Sequence, residues 1–443
     1  MSAPAAGLLR DIGPLGAALL AFNGIVGAGI FVLPGLVFKE FGDFGPWMFP
    51  LFGLLMLVIV VPLAAVASRF EITGGPVAYV HQAFGAFAGF QAGWLNYVAK
   101  ATAMAANVTV LAAYAAGLFP ALEGDLARAA IIAGVLGLLT AINVVGVRQA
   151  VVFLNIASVL KVAPLIGFAC AGLWIFGPAL AIPTALPALS AVEANALIVL
   201  YAFVGFENAL VPAGETRDPK RTIPRALIAT MAFTVLFYFL IQLAYTAVAP
   251  DGSVDAPMIA FGAAIAGGTG AVVMTLAALA SLAGNLHGNM LTSPRVTYAM
   301  AEQGALPRWF ADVHPRFATP ANSILIYGAV TLMLALSGSF VWLAVLGTVA
   351  RLFLYGLVFA ALPKLRSDAG ERALPSAPMV AALVTGAAIL LWAMAQTKAD
   401  AWVMLGGAVL VGTVLARSSR RFVRSTNSRG REGPASVPRR RHD

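Results

Sequence analysis

Three charged side chains lie inside long apolar runs of this sequence, namely Lys100, Lys161 and Glu207. An ionisable group among apolar residues is energetically costly, so such groups usually pair with one another or serve a functional site. Burial disfavours the charged form of a lysine. Lys161 could accordingly take up and release a proton, or its ammonium could simply brace neighbouring segments.

Lys100 and Glu207 allow two interpretations. They could form a salt bridge that neutralises both side chains in a low dielectric. Alternatively, Lys100 could recognise an acidic or polar group of a ligand. The apolar runs also contain isolated amides, such as Asn107 and Asn285, which we expect to hydrogen-bond between helices rather than to bind ligands.

The sequence lacks the usual motifs of catalytic and metal centres. Its single cysteine, Cys170, can form no disulfide within the chain. The spacing typical of paired metal ligands is missing from the four histidines, which are His81, His287, His314 and His442. No HExxH, GxSxG or P-loop pattern occurs either. We therefore predict that the protein is not an enzyme and needs no metal or cofactor.

Membrane-spanning helices must carry these residues. Hydrophobic residues make up 60% of the 443 and charged residues only 11%, whereas soluble domains carry about 25% charged residues. About twenty apolar residues cross a bilayer as a helix. Twelve spans are predicted, at 13–38, 46–68, 86–118, 127–147, 150–178, 191–213, 225–249, 267–300, 320–338, 340–362, 376–396 and 400–418. The third and eighth exceed the membrane thickness, so we expect them to tilt or protrude.

The net charge of +9 is distributed as membrane topology requires and not as a nucleic-acid footprint. With a cytoplasmic N-terminus (1–12), most Lys and Arg residues fall on the inner side, and Arg351 is counted among them. The outer loops hold Lys39, Arg128 and Lys398. Both termini are therefore predicted to be cytoplasmic. The basic tail, 419–443, is predicted to be disordered and to touch anionic lipid.

Two of the predicted spans contain interruptions. The first contains three glycines within six residues, Gly24, Gly27 and Gly29, which are poor helix formers. The sixth contains Gly205 beside Glu207 and Asn208. The glycines could merely allow close helix packing, but matched interruptions in corresponding helices of inverted halves favour a binding site at the membrane midplane.

Five spans separate one break from the other, so the second five-helix unit is inverted relative to the first. This predicts a first repeat at 13–178, an inverted repeat at 191–362 and two additional helices at 376–418. An unwound helix exposes N–H groups, which suit a carboxylate, and C=O groups, which suit an ammonium. A zwitterionic amino acid matches both.

Five segments carry recognisable motifs, which are Gly27-Ala28-Gly29-Ile30-Phe31, 203–207, 215–226, 295–307 and Thr319-Pro320. Through these motifs the chain resembles the amino acid–polyamine–organocation superfamily of permeases. The motifs extend over nearly the whole chain and are specific for the superfamily but not for a substrate. The resemblance implies a bacterial plasma-membrane protein with the five-plus-five inverted repeat of the leucine transporter.

The resemblance also implies a substrate site. Backbone amides of Val26, Gly27, Ala28 and Gly29 would bind the substrate carboxylate, and the carbonyls of Tyr201, Ala202 and Val204 would bind the ammonium. Tyr201 or Phe203 would form an aromatic lid. The side-chain pocket would be lined by Lys100, Ala103, Met104 and Asn289. By the same resemblance, Glu207 could gate the pathway or sense pH.

Proton-coupled members of this superfamily carry a lysine in the fifth helix, and Lys161 fits that position. The resemblance therefore implies an amino-acid transporter driven by proton symport. An exchanger or exporter of the same fold is the alternative, and a channel is a more remote one. The sequence specifies neither the amino acid carried nor the oligomeric state.

Overall fold

The computed structural model describes residues 10–71, 73–146, 150–177, 186–251, 255–372 and 374–429, except the side chains of 120, 150–161 and 418–429. The described part is helical, with one isolated parallel bridge between Ile12 and Thr216. The first half contains α1 (Pro14–Ile25), α2 (Gly29–Phe41), α3 (Gly45–Ala67), α4 (Pro76–Leu118), α5 (Asp125–Val145) and α6 (Ala150–Phe176). The second half contains α7 (Leu189–Tyr201), α8 (Pro219–Val248), α9 (Pro257–Thr292), α10 (Pro294–Glu302), α11 (Ala321–Ser337), α12 (Phe340–Asp368), α13 (Ala377–Ala395) and α14 (Ala399–Arg429).

Nine helical stretches within the described residues are long and apolar enough to cross a membrane. Three shorter apolar helices accompany them, at Pro14–Ile25, Val162–Phe176 and Ala321–Ser337. The chain is therefore a multi-pass membrane protein. The count of twelve crossings and the inverted repeat stay predictions.

Both predicted helix interruptions are present. The first span is split into α1 and α2 at residues 26–28, and the sixth is split after Tyr201, where α7 gives way to short 3₁₀ turns at Phe206–Leu210 and Ala213–Glu215. Gly205 takes a φ of +108°, which favours glycine because it has no Cβ. The glycine content of these spans thus predicted where the helices end.

The two breaks cross in direct backbone contact. A β-carbon built on Gly24 would overlap the carbonyl oxygen of Gly205, and one built on Gly205 would overlap the carbonyl oxygen of Gly24. Any side chain at either position would push the two segments apart. The pair of glycines therefore fixes how closely the two broken helices approach.

The two overlong helices are kinked. α4 has a non-helical φ of 81° at Gly85, and α9 is interrupted at Ala266 and Gly267. Each helix therefore changes direction near one end, a feature that the sequence analysis did not predict. α4 packs against both α12 and α9, which places it at the centre of the bundle.

Two predictions need correction. Arg351 does not lie in a cytoplasmic loop, because it is within α12 and only 6% exposed. The start of the predicted disordered tail is helical, since α14 continues to Arg429. The remaining residues, 430–443, and the side chain of Lys161 lie outside the described part.

The N-terminal segment is fastened to the segment that follows the second break. Ile12 N donates to Glu215 O at 3.0 Å, and Arg217 N donates to Ile12 O at 2.9 Å. Glu71, between α3 and α4, contacts Arg10 at 2.8 Å and Lys220 at 3.0 Å. The hydrogen bond from Arg10, followed by that from Lys220, lowers the pKa of Glu71. The beginnings of α1 and α8 therefore lie on the same face of the protein.

We expect Gly24→Ala to destabilise the protein, because its new β-carbon would overlap backbone that no rotamer change can move. Overpacking of this kind costs about 1–3 kcal/mol or more. The measurement is the melting temperature of the purified protein in detergent. Gly134→Ala is the matched control, because no heavy atom lies within 4 Å of a β-carbon there. If both variants melt like the wild type, the glycine contact does not hold the two helices together.

Candidate functional site

Three of the four amides that were predicted to bind a carboxylate at the first break donate to acceptors within the protein. Val26 N donates to Phe22 O at 2.8 Å, Gly27 N donates to Ile25 O at 3.0 Å, and Ala28 N donates to Asn107 Oδ1 at 2.8 Å. α2 begins at Gly29, and the first amides of a helix have no intrahelical acceptor. Of the four predicted carboxylate-binding amides, Gly29 is thus at a helix N-terminus, where an anion is favoured.

Two asparagines from long helices hold the first break in place. Asn107 on α4 accepts from the Ala28 amide, and its Nδ2 donates to Asn285 Oδ1 on α9 at 2.7 Å. Asn285 Nδ2 reaches Asn23 O at 3.4 Å. Both asparagines therefore hydrogen-bond between segments, as predicted. The sequence did not predict that these two side chains would bind backbone groups at the first break, namely the Ala28 amide and the Asn23 carbonyl.

The second break presents the carboxyl end of α7. Phe203 N donates to Leu200 O at 2.9 Å and Ala202 N donates to Val199 O at 3.0 Å, so the next carbonyls, including that of Tyr201, follow the last helical turn. The C-terminal end of a helix carries partial negative charge, which favours a cation such as an ammonium. The predicted role of the carbonyls of Tyr201, Ala202 and Val204 stays a prediction.

Tyr201 and Phe203 occupy different environments. The Tyr201 ring packs edge-on against Phe340 of α12 at 5.7 Å between centroids, and it lies 3.7 Å from a β-carbon built on Gly29. The Phe203 ring is fully buried near Phe49 and Tyr238. Tyr201 is therefore the aromatic residue beside the start of α2, and it fits a lid better than Phe203 does.

The residues that were predicted to line the side-chain pocket lie in different environments. Met104 is buried and Ala103 is partly exposed on α4. The amide of Asn289 is committed to bracing helices, because its Nδ2 donates to Lys100 O at 3.3 Å and its Oδ1 accepts from Tyr327 Oη at 2.8 Å and from Ser293. Asn289 thus joins α9 to α4 and α11, which would leave few of its hydrogen-bonding groups for a ligand.

Glu207 pairs with Arg351, and this corrects the predicted salt bridge with Lys100. Arg351 Nε donates to Glu207 Oε1 at 2.8 Å, while Glu207 Oε2 accepts from Tyr355 Oη at 2.7 Å and from Gly205 N at 2.9 Å. Arg351 and Tyr355 are four residues apart, so they lie on one face of α12. Glu207 is 4% exposed and Arg351 is 6% exposed, so this is a buried ion pair in which both carboxylate oxygens accept hydrogen bonds.

Lys100 has a neutral partner instead. Its Nζ donates to Asn208 Oδ1 at 3.0 Å. Asn208 Nδ2 would lie 2.8 Å from a β-carbon on Gly24, so the Lys100 ammonium is one hydrogen bond away from the crossing of the two breaks. Arg351 is a charge in the middle of an apolar run. This feature of the sequence could have indicated that Glu207 has a partner other than Lys100.

Two broken helices that cross within a multi-pass helical bundle are the arrangement of secondary transporters. The chain belongs to the amino acid permease family, whose model matches residues 12–412, and this confirms the resemblance to the amino acid–polyamine–organocation superfamily. The family and the curated relatives of the chain are membrane transporters.

Curated relatives extend over almost the whole chain. A transporter of Mycobacterium tuberculosis without an assigned substrate is 30% identical, over 94% of this chain and 92% of its own length. A serine/threonine exchanger of Bacillus subtilis is 26% identical, over 84% of this chain and 87% of its own. A methylthioribose transporter of the same species is 25% identical, over 92% and 93%. The two Bacillus subtilis relatives are named for different substrates, so family membership alone does not identify the cargo.

We expect Glu207→Gln and Arg351→Met each to lower the stability of the protein strongly. Each substitution removes one member of the buried pair and leaves the charge of the other uncompensated. Breaking a buried pair typically costs about 3–5 kcal/mol. The double variant should recover part of that loss. The measurement is a double-mutant cycle on melting temperature, with Lys100→Met and Glu207→Gln as the comparison cycle. Stronger coupling of Glu207 to Lys100 than to Arg351 would contradict the observed pairing.

Proposed function

We propose that the protein is a secondary active transporter that carries amino acids across the plasma membrane by alternating access. The observation that supports this most is the proximity of Gly29, the first residue of α2, to Tyr201, the last residue of α7. One helix N-terminus and one helix C-terminus thus lie together at the breaks. Their partial charges are opposite, and they match the carboxylate and the ammonium of one amino acid.

Alternating access requires that the substrate can reach the two breaks from each side of the membrane in turn. The breaks lie where helices from both halves of the chain cross, which is where such transporters bind their cargo. The similarity to a serine/threonine exchanger supports an amino-acid cargo and also supports exchange as the alternative mechanism. A requirement for counter-substrate inside the vesicle would distinguish exchange from symport.

The proposal also includes cytoplasmic termini and proton symport as the energy source for transport. Cytoplasmic termini are supported by the bias of Lys and Arg, which persists when Arg351 is removed from the count. Proton symport is supported by the position of Lys161 in α6. Its ammonium would brace the neighbouring helices when protonated and release them when neutral.

We expect Gly29→Leu to abolish amino-acid uptake into proteoliposomes without preventing insertion, because the leucine would fill the space at the start of α2. Gly134→Leu adds the same volume to α5, where no heavy atom lies within 4 Å, and should transport normally. The assay uses each of the radiolabelled amino acids in turn. Wild-type uptake by the Gly29 variant would refute a substrate site at the breaks.

We expect Lys161→Ala to lose accumulation driven by an imposed pH gradient, because alanine cannot alternate between a bracing ammonium and a free amine. Lys161→Arg should lose it as well, since arginine keeps its charge at all accessible pH values. The readout is the concentration ratio of substrate across the vesicle membrane, with counterflow as the control for folding. Proton-driven accumulation by either variant would exclude Lys161 as the coupling group.

A further inference from the structure

The charges at the helix breaks do not cancel. Glu207 is compensated by Arg351, and both of its carboxylate oxygens have donors, from Arg351, Tyr355 and the Gly205 amide. Lys100 is a second cation on the neighbouring helix α4. In the part of the chain that the structure describes, its ammonium has an amide oxygen as hydrogen-bond partner and no carboxylate within 4.0 Å.

A cation in this position is incompletely stabilised. Lys100 is half-buried among membrane helices, and a charge there is costly unless an opposite charge accompanies it. Asn208 offers one dipole, which offsets less of the desolvation cost than a carboxylate would. An anion that arrives beside Lys100 would therefore gain more than a neutral group of the same shape.

Lys100 is also placed to meet a substrate. Its partner Asn208 lies in the 3₁₀ turn Phe206–Leu210 of the second break and approaches Gly24 in the last turn of α1. Ala103 and Met104 are three and four residues further along α4, so they share a helix face with Lys100. Ala103 is partly exposed on that face, whereas Asn289 is occupied in joining α9 to the Lys100 carbonyl.

We propose that the preferred substrate is an acidic amino acid, whose side-chain carboxylate pairs with Lys100. This inference rests on the proposed function, because the α-carboxylate and ammonium are held by the ends of α2 and α7. The second carboxylate replaces Asn208 as the partner of the Lys100 Nζ, or joins it. The cargo thereby supplies the charge that the site lacks, and a substrate with a cationic side chain meets repulsion from Lys100.

The test compares acids with their own amides, which have nearly the same shape. Purified wild-type protein is titrated with L-glutamate, L-glutamine, L-aspartate, L-asparagine and L-lysine, and dissociation constants are taken from thermal shifts. We expect each acid to bind at least about tenfold more tightly than its amide, which corresponds to ~1.4 kcal/mol. L-lysine is expected to bind most weakly. This comparison needs no variant, so a misfolded mutant cannot obscure it.

Variants then assign the preference to Lys100. Lys100→Met should remove the acid-over-amide ratio, and Lys100→Glu should reverse it in favour of L-lysine. Lys364→Met removes an exposed lysine from the end of α12 and should leave the ratio unchanged. A ratio that persists in a folded Lys100→Met protein would overturn the proposal.

Two other outcomes distinguish a failure of the acidic-substrate inference from a failure of the proposed amino-acid transport. If wild-type protein binds the amides as tightly as the acids, the acidic substrate class is wrong while amino-acid transport stands. If no amino acid binds, the proposed function fails and the inference fails with it. Binding and transport of L-glutamate or L-aspartate above their amides supports both.

Discussion

The contact between Gly24 and Gly205 sets the geometry on which the site depends. Because neither residue has a β-carbon, the last turn of α1 and the second break approach until one backbone touches the other. This contact brings together segments that are far apart in sequence, and it places Asn208 beside the first break. Since the ends of two helices can contact one ligand only when they converge, the proposed site depends on this one approach.

The polar groups around the crossing serve two different purposes. Asn107, Asn285 and Asn289 satisfy backbone and side-chain groups that lipid would leave without partners. Glu207 and Arg351 compensate each other's charge, and Tyr355 and the Gly205 amide donate to the second carboxylate oxygen of Glu207. Lys100 belongs to neither arrangement, and this distinguishes its environment from the others.

Sequence reasoning was most successful where local chemistry decides the structure. The glycines in the first and sixth spans predicted both breaks, because low helix propensity is a property of glycine itself and does not depend on tertiary packing. Sequence reasoning failed for Arg351, which was expected on the cytoplasmic side and lies in mid-helix, so that Glu207 had Lys100 as its candidate partner, beside the alternative that Lys100 recognises a ligand. The kinks at Gly85 and Gly267 were also missed, since glycines are common in this chain and only the packing reveals which of them bend a helix. Partner choice among three buried charges depends on the rotation of helices about their axes, which a single sequence does not specify.

The hydrogen bond from the Ala28 amide to Asn107 Oδ1 has a consequence for turnover. Under the proposed function, an incoming carboxylate would compete with the amide oxygen of Asn107 for this donor. Binding would then exchange one hydrogen bond for another, so that the net gain would be smaller than the gross interaction. A carrier must release what it binds at every cycle, and a side chain that returned to the amide as the cargo left would lower the barrier to that release.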